Sequence, residues 1–449
     1  MTQHRYLDPE WECLDRATLE ARQFDVLRQR LEALAVENPF YAPRWRDAGV
    51  DVAKITSLAA FRELVPTIDK RDLLEDQDSF PPFGSFIGVD RTRVAQMHVT
   101  SGTSGVGQGA FGLTRDDVAL VGRSYAHMWM NAGLAPGDVG ILTYPVTFLA
   151  AGLIGVAASH AFQLVPLFAF GVDKRLVLEL AQKFDAATIF GTPSVLRELQ
   201  RIATAEGIDP RRDLRGLKAI CTGLTSAPYG ETIGAIQDFW GVRVFENYGQ
   251  TETGQATAVS CEQGVWDGER RYPIHFQEHM VHCEVLDPEN GEPVADGEYG
   301  ELVVTAFRRE ASPAIRYRTG DRVMFASHEW CPCGRPFNGM VPGEVSRYDD
   351  MKKIKGTTVW PAAVDGIVFA RPEVEEYRVL LTRDERGQET FTIQLALDRA
   401  TSGDDRRVEV LVDEVRDLVK LATLVQPRVE IVRDLEKFDF KVKRWVDER

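Results

Sequence analysis

Thr100-Ser101-Gly102-Thr103-Ser104-Gly105 alternates hydroxyls with glycines. Glycine lets backbone amides close on an anion, and hydroxyls add donors without fixed charge, so this stretch can cradle a phosphate chain. The same composition also makes an ordinary polar loop. In Asn247-Tyr248-Gly249-Gln250-Thr251-Glu252 an aromatic ring can stack on a base, Thr251 can bond a phosphate and Glu252 can hold Mg²⁺. The competing reading is a surface turn. In Tyr317-Arg318-Thr319-Gly320-Asp321 a carboxylate beside a glycine can accept both hydroxyls of a ribose, although these residues also suit a plain turn. Cys331-Pro332-Cys333-Gly334-Arg335 presents two thiols on a tight turn, which is half of a zinc site or simply two free thiols.

The elements that must position these groups follow from periodicity. Residues 18–37 space Leu19, Val26, Leu27, Leu31 and Leu34 as a helix does, ending before Asn38-Pro39. From 139 onward, β-rich runs at 139–144, 163–167, 187–190, 217–221 and 242–246 alternate with helical stretches at 148–159, 174–184, 194–206 and 229–240. Such alternation predicts a mostly parallel sheet, whose ligands gather at the carboxyl ends of the strands. After about residue 260 the pattern turns to strands without long helices, at 281–286, 301–306 and 322–325. A further α+β unit starts near 349, with strands at 375–382, 390–397 and 428–432 and a helix at 404–424.

The 449-residue chain, 44% hydrophobic, is long enough for two or three domains and a sizeable core. Its net charge of -15, without a basic cluster, argues against nucleic acid or an anionic membrane as partner. The first residues lack an apolar signal core and no run of about 18 apolar residues occurs, so a cytoplasmic location is expected. Six cysteines in such a length read as core residues or metal ligands rather than a disulfide framework.

Taken in order, and followed by Arg347-Tyr348-Asp349-Asp350-Met351, the three nucleotide-type segments resemble the adenylate-forming superfamily of acyl-CoA synthetases, luciferases and peptide-synthetase adenylation domains. The similarity is closest to the phenylacetate-CoA ligase branch. It extends over most of the chain, including Asn38-Pro39-Phe40-Tyr41, Gly191-Thr192-Pro193-Ser194, residues 298–305 and 315–321, the Cys331 turn and Asp349-Asp350-Met351. The resemblance implies an α/β protein with a large N-terminal domain at 1–348, containing mostly parallel sheets and a small β-barrel-like subdomain at 260–347. A small mobile α+β C-terminal domain would follow at 349–449. It also implies two steps: a carboxylic acid and ATP give an acyl-adenylate, then a thiol, CoA in this branch, displaces AMP. Two alternatives stand beside that reading. One delivers the adenylate to an amine or a carrier protein, and the other is a noncatalytic nucleotide-binding regulatory relative. The branch often forms homodimers, so a homodimer is among the expected states.

By the same likeness, residues Thr100 to Gly105 would orient the β- and γ-phosphates, and Tyr248 would flank adenine within the Asn247-Tyr248-Gly249-Gln250 turn. Thr251 would contact the α-phosphate, Glu252 would ligate Mg²⁺, Asp321 would bind ribose, and Arg347 would reach ribose or phosphate. Gly223-Leu224-Thr225 matches the adenine-side loop less closely. Two anions must meet in the adenylation step, so a further cation is needed. Lys441 takes that place, with Lys443 as its alternative, because Asp439-Phe440 replaces the usual glycine-containing approach. A solvated basic tail is the competing reading. Asp349 would be the hinge whose rotation withdraws Lys441, and Gly356 would lie on the face used for the thiol half-reaction. Some relatives complete a structural zinc with one cysteine and one histidine. Here Cys261 and His275 would join Cys331 and Cys333, with His279, His282 or Cys283 as substitutes. Tyr144, Phe148 and Ala151, with Phe168 and Phe170, are candidates for an apolar acid pocket or for ordinary core. The lysine that often follows the phosphate loop is missing, since Val106-Gly107-Gln108-Gly109 stands there.

Overall fold

Leu19, Leu27, Leu31 and Leu34 form the buried stripe of the helix Arg16–Glu37, whose first turn is capped by Asp15 accepting from the Thr18 amide at 2.9 Å. The computed structural model describes residues 6–100, 107–223, 229–371, 373–384, 387–433, 435 and 444–449. The chain divides into two compact units, Met1–Leu224 with Ile236–Pro342, and Thr225–Ala235 with Gly343–Arg449.

In the first unit, β1 (Gln96–Val99) and β2 (Ala110–Leu113) form a separate antiparallel hairpin. The parallel core contains β3 (Val139–Leu142), β4 (Val165–Phe168), β5 (Thr188–Phe190), β6 (Ala219–Gly223) and β7 (Arg243–Gln250). Helices Ala150–Phe162, Lys174–Lys183 and Pro193–Glu206 make the successive crossovers. β5 and most of β6 are buried, as their unbroken apolar runs require when both faces of a sheet are covered.

The sheet continues antiparallel through β8 (Gly254–Ser260), β9 (Ile274–Phe276), β10 (His282–Leu286), β11 (Tyr299–Thr305), β12 (Tyr317–Ala326) and β13 (Gly339–Met340). The order is β10-β11-β12-β13-β9-β8-β7-β6-β5-β3-β4. The strands expected after residue 260 are therefore hydrogen-bonded in series onto the parallel ones. Helices Arg115–Asn131 and Ala150–Phe162 approach closely at Gly122, where a Cβ would stand 2.7 Å from the Ala157 carbonyl carbon.

In the second unit, strands Val374–Arg383 and Glu389–Leu397 pair antiparallel, and Arg428–Val432 and Trp445–Asp447 add to them in parallel. Helices Pro361–Phe369 and Asp405–Thr423 contribute Val364, Val368, Leu411, Val415 and Val419 to its own core.

Candidate functional site

The parallel register aligns Leu142 with Phe190, Phe190 with Cys221 and Gly223 with Asn247, so the chain segments leaving these strands emerge along one edge. That edge is where an open α/β sheet collects its ligands. Just beyond β3, Tyr144 lies 4.4 Å from Phe190 between ring centroids, and its hydroxyl oxygen accepts from the Gly223 amide at 3.2 Å. Burial pushes the Tyr144 phenol well above its ordinary pKa, so it stays protonated.

At the end of β7 the ladder with β8 shifts register between Tyr248 and Gln250. A bulge of this kind re-aims side chains. Tyr248 donates to Asp321 Oδ2 at 2.6 Å and Gln250 Nε2 donates to the same oxygen at 2.5 Å. Asp321 is fixed from below as well: its amide donates to Thr319 Oγ1, which in turn donates to the Leu302 carbonyl. The 317–321 segment is part of β12, and its glycine at φ 73° is built into the strand rather than into a free turn. Glu252 follows at 7% exposure. The structure thus brings Tyr248, Gln250 and Asp321 into contact from two segments about seventy residues apart.

The neighbouring Arg316 and Arg318 serve the frame. Arg316 is buried, pairs with Glu284 at 3.1 Å and donates to the carbonyls of Arg62 and Val65, while Arg318 pairs with Glu301.

Thr100 extends the β1–β2 hairpin at its loop end, its hydroxyl accepting from the Gly109 amide at 2.8 Å and its own amide donating to the Gly109 carbonyl. Ser101 to Gly105, Leu224, Thr225, Lys441 and Lys443 lie outside the described residues. The Val99 amide donates to the Phe148 carbonyl, which ties the segment after β3 to the end of β1. Ala151 is half-buried, whereas Phe148, Phe168 and Phe170 are exposed, so the three phenylalanines do not belong to the core. In the second unit, Arg347 and Asp349 form a surface pair at 3.5 Å, and Gly356, at φ 80°, turns the hairpin between Lys352–Ile354 and Thr357–Val359.

Cys261 at the end of β8, His275 on β9, and Cys331 and Cys333 before β13 are all buried, their ligand atoms within 4.8 Å of one another. Cys261 Sγ lies 3.5 Å from Cys331 Sγ, and Cys333 Sγ lies 3.6 Å from His275 Nε2. The other ring nitrogen of His275 pairs with the Phe337 carbonyl at 2.8 Å, which turns Nε2 toward the thiols. Burial works against a charged His275, but its hydrogen bonds to Cys331 and Cys333 raise it to about 10. His282 instead faces Gln23, and His279 belongs to a second buried group with Asp8 and His127.

Sequence reasoning missed that second group. Burial opposes its charge, yet hydrogen bonds from His127 and Arg123 hold the Asp8 carboxyl well below the usual carboxylate range. Asp8 and His127 are 119 positions apart, so no spacing signal could have joined them.

Residues 50–306 match the family of AMP-binding enzymes, and residues 356–449 match the AMP-binding enzyme C-terminal domain. The chain is 32% identical over 381 residues to a phenylacetate-coenzyme A ligase of Thermus thermophilus, covering 84% of this chain and 81% of that protein. It is 28% identical over 445 residues to a phenylacetate-coenzyme A ligase of Aromatoleum evansii, covering 96% and 94% respectively. A crystal structure of 2-hydroxyisobutyryl-CoA ligase in complex with 2-HIB-AMP superposes with a TM-score of 0.88 at 25% identity, covering 100% of this chain and 94% of that one.

Proposed function

The chain belongs to the AMP-binding enzyme family, and from that premise we propose that it is an ATP-dependent, AMP-forming carboxylic acid–CoA ligase. A carboxylate oxygen attacks the α-phosphorus of ATP, the bond to pyrophosphate breaks, and an acyl-adenylate forms. The sulfur of CoA then attacks the acyl carbon, its thiol proton is lost, and AMP leaves. The observation that carries the reading is the convergence of Tyr248 and Gln250 on Asp321 at the sheet edge, with Glu252 next along the chain.

On this reading Asp321 accepts from the ribose hydroxyls and Tyr248 flanks adenine. Thr251 contacts the α-phosphate, while Asn247, Gly249 and Gln250, at the end of β7, complete the nucleotide site. Glu252 would hold Mg²⁺, which supplies charge neutralisation to the phosphates. Family likeness assigns the adenylation lysine to Lys441, the hinge to Asp349 at a boundary between 348 and 349, and a role in the thiol half-reaction to Gly356. Tyr144, Phe148 and Ala151 stand near the strand ends as acid-pocket residues, and an aryl or arylacetic acid is the proposed substrate class by likeness to the phenylacetate-coenzyme A ligases.

Cys261, His275, Cys331 and Cys333 would hold a structural Zn²⁺. The donor set fits: Zn–S near 2.3 Å and Zn–N near 2.0 Å give tetrahedral edges of roughly 3.5–3.8 Å, Cys261 with Cys331 and Cys333 with His275 stand at 3.5 and 3.6 Å, and all four ligand atoms lie within 4.8 Å of one another. Three cysteines close such a site, so its work is to pin a loop and not to activate water. Among the described residues no helix is long and apolar enough to cross a membrane. The cytoplasmic location and the homodimer belong to the same proposal.

The test is pyrophosphate exchange across a panel containing phenylacetate, benzoates and short hydroxy acids, followed by release of AMP on adding CoA. Exchange with an aromatic acid and CoA-dependent release is the expected result. Release by amines in place of CoA would overturn the acceptor, and silence across the panel despite ATP binding would favour a regulatory protein.

A further inference from the structure

Arg309, in the segment joining β11 to β12, is 1% exposed. A guanidinium in such a place keeps its charge, so its surroundings must compensate for it. Nη1 donates to the Glu252 carbonyl at 3.1 Å and the Thr251 carbonyl at 3.4 Å, and Nη2 donates to the Gly112 carbonyl at 3.2 Å. Gly112 lies on β2, opposite Met97 of β1. One buried side chain therefore straps the turn carrying Glu252 to the hairpin that ends at Thr100.

The base of that strap is itself held. Arg30 donates to the Arg309 carbonyl at 2.5 Å, and Asp117, in the first turn of the helix Arg115–Asn131, accepts from the amides of Glu310 and Ala311 at 2.7 and 2.9 Å. Ser312 Oγ adds a second donor to the Gly112 carbonyl at 3.0 Å. Burial works to depress the Arg309 pKa, against the charges of Asp117 and Glu252. Among the described residues its Nε has no hydrogen-bond partner. A buried donor left unmatched costs stability, and an apolar side chain of similar volume often serves a core as well or better. The fork does what an apolar side chain cannot: it reaches three carbonyls on two separate segments.

We infer that Arg309 is a positioning residue for the adenylation half-reaction, setting where the Glu252 carboxylate stands relative to the β1–β2 hairpin. The inference rests on the reading of Glu252 as the Mg²⁺ carboxylate. Arg309 does not reach the nucleotide and acts through the backbone it holds. Lysine would keep the charge but lose the planar fork, so Arg309→Lys separates geometry from charge.

The experiment uses the full chain with Arg309→Lys and Arg309→Gln, each melted to check folding. Pyrophosphate exchange is titrated with Mg²⁺, and CoA-dependent AMP release is measured separately from supplied acyl-adenylate. In a folded Arg309→Lys variant the Mg²⁺ concentration for half-maximal exchange rises about tenfold, while thiolysis stays within about twofold. In a Glu252→Gln background the same substitution adds little further, because both changes act on one group. An unchanged Mg²⁺ requirement in folded Arg309→Lys overturns the inference. So does an equal fall in both half-reactions, or failure of both variants to fold, since the residue would then serve the fold alone. Glu252→Gln with an unaltered Mg²⁺ requirement overturns the underlying reading instead.

Discussion

One oxygen of Asp321 takes hydrogen bonds from both Tyr248 and Gln250, and its amide is held by Thr319. The carboxylate is therefore oriented before any ligand arrives, which lowers the ordering cost of binding. On the proposed reading, Asp321→Asn must either turn its amide nitrogen against two donors or present a donor to the ribose in place of an acceptor. Hydrogen bonds to a charged group contribute about 1.5–3 kcal/mol, so the KM for ATP should rise roughly 10- to 100-fold. The KM for the acid should stay unchanged, and a comparable rise in both would show that the substitution disturbs the fold. Tyr248, Gln250 and Asp321 were legible from the order of their segments and the resemblance it carries, since each segment alone also reads as a turn; that the three side chains meet is what the structure adds. Arg309 was not legible, since a side chain whose partners are backbone carbonyls leaves no pattern in the residues it touches.

Many strands and helices were legible from their apolar patterning, whereas the buried helix Arg115–Asn131 and β8 were not. The expected helix at 18–37 is the observed Arg16–Glu37, and the strands expected at 187–190 and 217–221 became β5 and β6. The β1–β2 hairpin was not legible: its strands have four residues each, and the alternation of Gln96-Met97-His98-Val99 runs against burial, since His98 is buried and Met97 exposed. The Cys331 turn reads as half of a site, and resemblance supplies Cys261 and His275 as the rest; what brings them together is antiparallel pairing, which sets Val259 of β8 opposite His275 of β9 and carries Cys261 to the same end. In this arrangement one ion would tie the end of β8, β9 and the loop before β13 together. Purified protein should accordingly carry about one equivalent of zinc, and Cys333→Ser less than about half. The same variant should exchange backbone amides faster at residues 327–338 when followed by mass spectrometry. Full zinc occupancy in Cys333→Ser would remove that cysteine from the ligand set.

At the scale of the whole molecule, buried ionisable groups decide how the fold responds to acid. His98, His279 and His282 are 1%, 2% and 9% exposed. Burial, then the charge of Arg309, pushes His98 down to about 4. Burial, then Arg16, Arg316 and Arg62, pushes His282 down to about 3, while burial and then His127 take His279 well below its ordinary value. An unfolded histidine titrates near pH 6.5, so below that pH the unfolded chain binds protons that the folded chain refuses. The stabilisation is fully present above pH 6.5 and is lost as pH falls, until His98 itself protonates near 4. Between pH 7.5 and 5.5 His98 and His282 each remove about 1.4 kcal/mol, and His279 adds a loss of the same sign. Glu278 and Glu284 run the other way. Burial raises both against Arg16 and Arg316, so the folded state gains their protons first and the slope becomes shallower. The urea midpoint should therefore drop between pH 7.5 and 5.5, and His98→Gln should flatten that drop by up to about 1.4 kcal/mol, one histidine's share. A drop of the same size in His98→Gln would mean that His98 binds its proton equally well in the folded and unfolded chain, against the burial that surrounds it.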